Sequence, residues 1–204
     1  MSGIISQNVG RTSGLVKATE GSGEWTMIKS LTASGSGTLD FVNGTSDVVL
    51  DATYDAYCFR FTNIHPSVDD SEFQFNMSAD TGSNYNVTKT ASAFVSEHTE
   101  GDSAAFGYQT TMDSAQSTAF QHIAEAVGTD NDQCTSGWLY IFSPASTAFI
   151  KCYIGLGQTH SKDSDTRLLE VGGHGNTTSA VDAVRFQFGS GNIDSGTVTL
   201  YGIG

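Results

Sequence analysis

The chain has 204 residues, enough for one ordinary domain with its own hydrophobic core and no need of staples. Ser, Thr and Gly fill 25, 24 and 23 positions while charged residues make up 15%, against about 25% in typical soluble domains. That deficit argues against a helix-rich protein, whose wet faces carry Lys, Glu and Arg, and for an all-β one, whose wet faces accept Ser, Thr and Gly. With 9 basic against 22 acidic residues and a net charge of -13, the chain cannot neutralise a run of phosphates, which argues against nucleic acid and anionic membrane as partners.

Residues 1 to 24, MSGIISQNVGRTSGLVKATEGSGE, show little apolar periodicity and read as an extended N-terminal arm. They lack the basic region followed by an apolar run that marks a signal peptide, so folding in a cytosol is expected. Ile4, Ile5, Val9, Leu15 and Val16 are the apolar points by which such an arm would dock on a partner.

Residues 25 to 204 form the expected domain, a series of short alternating runs separated by turn residues. Strands are predicted over 25 to 31, 37 to 43, 54 to 64, 71 to 79, 137 to 143, 148 to 158, 182 to 188 and 197 to 203. Tyr57, Phe59 and Phe61 alternate with polar residues, as do Phe73, Phe75 and Met77, and Val184, Phe186 and Phe188, which gives each run one apolar and one wet face. Eight such strands suit an antiparallel β-sandwich of two four-stranded sheets. Ser114 to Val127 reads as a helix, with Phe120, Ile123, Ala124 and Val127 on one face, or as a strand pair; the β character of the rest favours strands. GSGNIDSG, residues 189 to 196, reads as a hairpin connection whose glycines supply positive φ.

Chemistry leaves few marks. No GxSxG elbow occurs, and His65, His98, His122, His160 and His174 form neither an HExxH nor an i, i+4 pair. Asp69 with Asp70, Asp80 with Asn84, Asp130 with Asp132, and Asp163 with Asp165 are read as solvated turns, since no glycine and distal glutamate follow at calcium-loop positions. Cys58, Cys134 and Cys152 are odd in number and form no CxxC. They are expected as reduced thiols, with Cys58 and Cys152 buried in apolar runs. Trp25 and Trp138 are the aromatics that could contact a glycan, although their place within strands favours core packing. The Asn-x-Ser/Thr triplets at Asn43, Asn76, Asn86 and Asn176 are what such a composition produces by chance.

The closing stretch AVDAVRFQFGSGNIDSGTVTLYGIG (180 to 204), preceded by Val171, Gly172 and Gly173 and by Thr177 and Thr178, resembles the closing hairpin of small virion-associated proteins of tailed bacteriophages. Residues 54 to 85 and WLYIFSPASTAFIKCYIG (138 to 155) agree with it, so the likeness covers roughly residues 25 to 204. It implies a jelly-roll-like sandwich on a phage particle, assembled in the host cytoplasm as a homotrimer, with no catalysis and no cofactor. Such modules serve as head decoration (cement) proteins bound to the major capsid protein, or as tail-fibre and receptor-binding parts that recognise a host surface glycan. Tail fibres run longer and carry repeat or coiled-coil shafts, which this chain lacks, so head decoration by arm anchoring is the first expectation and the tail adhesin the second.

Overall fold

The computed structural model describes residues 24 to 204. Apart from Glu24, the expected arm and its docking residues Ile4, Ile5, Val9, Leu15 and Val16 lie outside the described residues. Among the described residues there are thirteen strands and no helix. They are β1 (Trp25–Thr32), β2 (Leu39–Val42), β3 (Ala56–Pro66), β4 (Ser71–Ser78), β5 (Lys89–His98), β6 (Ala104–Tyr108) and β7 (Ser114–Ser117), then β8 (Gln121–Val127), β9 (Thr135–Phe142), β10 (Lys151–His160), β11 (Thr166–Gly175), β12 (Ala183–Phe188) and β13 (Ile193–Ile203).

The strands form two antiparallel sheets packed as a sandwich, but the layers are unequal. The larger runs β1, β13, β3, β9, β10, β11, β5, β6, with β7 attached to β5, and the smaller runs β2, β12, β4, β8. The expectation of two four-stranded sheets fails because β5, β6, β7 and β11 carry weak local signals. The inward positions of β5 are Lys89, Ala91, Ala93 and Val95, two of them small and one charged, and β11 contains Gly172 and Gly173. Ser114 to Val127 is strand, as favoured, yet its two strands do not pair together: β7 joins β5 and β8 joins β4.

Residues 189 to 196 are not a hairpin connection. β12 pairs with β2 and β4 in the small sheet, whereas β13 pairs with β1 and β3 in the large one, so the segment crosses between layers. Its glycines do supply positive φ, Gly191 at 71° and Gly196 at 110°. A Cβ on Gly196 would stand 2.5 Å from the Asn63 carbonyl oxygen, so both backbone angle and close approach require glycine.

Between the layers lies the aromatic core. Phe59 and Phe61 from the large sheet meet Phe41, Phe73 and Phe186 from the small one at ring-centroid distances of 5.2 to 5.3 Å, within the range of favourable edge and tilted pairs. Phe75 packs on Tyr153 at 5.1 Å. Every member of the three predicted alternations is buried, and each such ring contributes roughly 1.5 to 3 kcal/mol by burial. The opposite faces are less uniformly wet than the alternation implies. In β4 the polar Gln74, Asn76 and Ser78 are buried as well. Asn76 donates through Nδ2 to the carbonyls of Tyr85 (2.7 Å) and Thr118 (3.0 Å), so neighbouring segments take the place of solvent.

All three cysteines are free thiols; Cys58 is buried, Cys134 half-buried and Cys152 exposed. The burial expected of Cys152 is therefore corrected: in the register of β10 it shares the outward parity of Ile154 and Leu156.

Candidate functional site

The large sheet turns an apolar face outward, away from the core. Because the strands pair in continuous register, the outward side chains stand in rows. One row contains Tyr201, Cys58, Tyr140, Ile154, Gly172 and Ser92, on β13, β3, β9, β10, β11 and β5. The next contains Thr199, Arg60, Trp138, Leu156, Glu170 and Phe94 on the same strands. Met27 and Trp25 extend the face on β1, and Phe106 and Tyr108 extend it on β6.

Two aromatic clusters flank its middle. In the first, Trp25 meets Tyr201 (5.4 Å) and Tyr140 (6.0 Å), Trp138 meets Tyr140 (5.1 Å), and Tyr140 stacks on Phe142 (6.2 Å). The Arg60 guanidinium stands 5.9 Å from the centre of the Tyr201 ring, within cation–π range. In the second, Phe94 stacks on Phe106 (6.2 Å) and meets Tyr108 edge-on (5.4 Å). Between them a groove of about 320 Å³ is lined by Ser92, Phe94, Phe106, Ile154, Glu170, Val171 and Gly172. Its floor is open because a Cβ on Gly172 would meet nothing within 4 Å.

Phe106 is 78% exposed, Met27 63%, and Trp25, Phe94, Tyr108, Phe142 and Ile154 between 40% and 50%. Taking 150 to 250 Å² for each complete large side chain, these seven leave on the order of 700 Å² of mainly apolar surface in water, divided between the two clusters, where the largest contiguous patch on a typical monomer is roughly 300 to 600 Å². This face is the candidate interaction surface among the described residues.

Both tryptophans named from sequence belong to this face, so their expected core packing is corrected. Alternation gives the reason: Leu139 and Ile141 are the inward residues of β9, which leaves Trp138, Tyr140 and Phe142 outward. Tyr140, Met27, Ile154, Phe94, Phe106 and Tyr108 were missed. The available signal was a strand apolar on both parities, the pattern of a sheet buried on both sides. Burial under this face raises the Cys58 thiol to about 11 and the Tyr140 hydroxyl to about 12.

The polar candidates lie elsewhere and do not converge on it. The Asp80 carboxylate accepts from the Asn84 backbone N–H, the Asn84 amide and the Ser78 hydroxyl, an arrangement local to its turn. Asp163 and Asp165 surround Arg167, together with Glu97 and the buried Glu125. His65 bonds the Gln133 carbonyl at 2.8 Å beside a polar hollow that also holds Asp132, Cys134 and Asp194. Among the described residues no group of three or more His, Cys, Asp or Glu is placed to hold a metal ion. No family model, no curated protein and no solved structure matches the chain.

Proposed function

We propose that this protein is a structural component of a bacteriophage virion, a jelly-roll-like head-decoration (cement) module that works by holding neighbours and performs no bond-making chemistry. The observation that carries this reading is the outward face of the large sheet, whose aromatic rows offer a broad apolar surface where an enzyme would offer a cleft. The sequence resemblance supplies the setting, and it rests on the residues of 180 to 204 and not on a hairpin, since β12 and β13 lie in different sheets. An acidic surface poor in charge and rich in Ser, Thr and Gly suits a protein held at high local concentration. In this reading residues 1 to 24 anchor the module to the major capsid protein while the sandwich self-associates, so that many weak contacts repeated by symmetry act together. Deleting residues 2 to 18 is expected to abolish retention on particles, measured by co-sedimentation, while the soluble domain keeps its circular dichroism spectrum. Retention equal to that of the intact chain refutes the anchor.

A tail adhesin is the second reading, favoured by the outward Trp138 and Tyr140, since sugar rings stack on such aromatics. It requires that Trp138→Ala remove binding to host cells and that the purified protein compete with infection.

A further inference from the structure

We infer that the outward face of the large sheet pairs with the same face of a second copy about a two-fold axis that runs parallel to the strands over the β9–β10 seam. This rests on the reading of that face as the protein's holding surface, and it names the neighbour, a two-fold pair in place of the homotrimer that the resemblance implies. Three observations point to a second copy of this chain.

The first is the position of the seam. The ordered path across the large sheet has eight strands, with β1, β13, β3 and β9 on one side of the seam and β10, β11, β5 and β6 on the other. A two-fold axis along it lays β9 of one copy over β10 of the next, β3 over β11 and β13 over β5, so the whole face is covered without overhang. Such an interface is isologous, each contact occurring twice.

The second is charge. Within the paired register from β3 to β11 the charged side chains on this face are Arg60 and Glu170, which stand in one row at equal strand distances from the seam. The axis sets Arg60 of each copy against Glu170 of the other. A chain of net charge -13 otherwise repels its own kind, and here its contact face is neutral and self-complementary.

The third is shape. The same operation brings the Tyr201 ring of one copy over Ser92 of the other, into the groove whose floor is the bare Gly172. Tyr140 then faces Ile154, and Trp138 faces Leu156. The surface left in water, on the order of 700 Å² per copy, is close to the roughly 800 Å² per partner of a standard stable interface.

Analytical ultracentrifugation of the full chain from about 1 to 100 µM tests the pairing. A monomer–dimer equilibrium is expected. Arg60→Glu or Glu170→Arg alone sets like charges together twice across the axis and is expected to raise the dimer Kd by about tenfold or more. The double variant Arg60→Glu with Glu170→Arg is expected to return it to within about threefold, a rescue that a merely structural role for either residue would not give. Gly172→Phe, at a site with open space for a side chain, is expected to keep the far-ultraviolet circular dichroism spectrum of the folded protein and to weaken the dimer by about tenfold. A monomer throughout the range, a trimer, or a dimer indifferent to all of these changes overturns the inference, whether residues 1 to 23, a glycan or another protein then covers the face. Particle retention is a separate measurement: a retained monomer refutes the pairing alone, and a dimer that never binds particles refutes the virion role alone.

Discussion

Lys89 shows what a single side chain costs when the fold takes it out of water. It is fully buried, and its Nζ donates to Asn76 Oδ1 (2.5 Å) and to the Val87 carbonyl (2.9 Å). Burial lowers its pKa from 10.5 to about 8. Below that value the folded protein carries the full expense of an enclosed ammonium, about 3 kcal/mol by linkage. Between about 8 and 10.5 the unfolded chain binds a proton that the folded one does not, so this group makes stability rise with pH. Cys58 and Tyr57, raised by burial to about 11 and about 12, act in the opposite sense at high pH. They are common to wild type and variant and cancel in the difference. Urea unfolding of wild type and Lys89→Met is therefore expected to show a stability difference that shifts by about 3 kcal/mol in favour of wild type between pH 7.5 and 10.5. An unchanged difference refutes the assignment. Arg167 and Glu125 give a second case. Glu125 is buried, its carboxyl raised chiefly by desolvation and brought back by Arg167 at 3.9 Å. Arg167→Met is expected to cost about 3 kcal/mol at neutral pH by leaving unpaired both that carboxylate and the buried Asp165, which the guanidinium bonds at 3.1 Å. The raised group favours the folded state at low pH and loses that contribution as pH climbs, and removing the cation raises it further. The deficit should accordingly shrink when unfolding is measured near pH 5.

At the level of strands, close approach decides what alternation cannot. On β10, Gly157 lies so near β8 of the other layer that a Cβ would stand 2.0 Å from the Ile123 carbonyl oxygen. Gly157→Ala should therefore lower thermal stability by several degrees or prevent folding, a loss of about 2 kcal/mol or more by forced displacement of packed backbone. Gly172→Ala, one strand away on the open face, should leave the melting temperature within a degree or two. The contrast explains how far local pattern could be read. Tyr57, Phe59 and Phe61, or Phe73, Phe75 and Met77, declare their inward face because a period of two in large apolar residues has one physical use. β5 and β11 gave no such signal, since Ala91, Ala93 and Gly173 are shaped for contacts set by partners distant in sequence, a Cβ on Gly173 standing 2.6 Å from the Thr90 carbonyl oxygen. Trp138, Tyr140 and Phe142 alternate as regularly as any core triplet. Only the pairing of β9 with β3 and β10, which places Leu139 and Ile141 inside, shows that they face out. The segment 189 to 196 was legible as a chain reversal needing positive φ, but its choice between hairpin and layer crossing depends on which strands lie beside β12 and β13.

For the molecule as a whole, the decisive fact is that the chain closes on itself through its last strand. β13 lies between β1 and β3, with Trp25 opposite Ile203 on one side and Cys58 opposite Tyr201 on the other. It also contributes Ile193, Val198 and Leu200 to the core. Until residues 193 to 203 are in place, β1 has no partner and β3 lacks one of its two, so the large sheet is incomplete at the strands that carry Phe59 and Phe61. The loop entropy of joining segments this far apart must be met before those contacts repay it, which makes folding slow, in the millisecond to second range. Deleting residues 193 to 204 is expected to yield an unfolded or aggregating chain, with loss of near-ultraviolet circular dichroism and of a cooperative urea transition, because it strips an interior strand and exposes the unpaired edge of β3. Deleting residues 2 to 18, which lie before β1, should leave that transition intact. If the chain lacking β13 still unfolds cooperatively at a similar urea concentration, the large sheet does not depend on this closure, and the face it presents cannot owe its order to the pairing of the two ends.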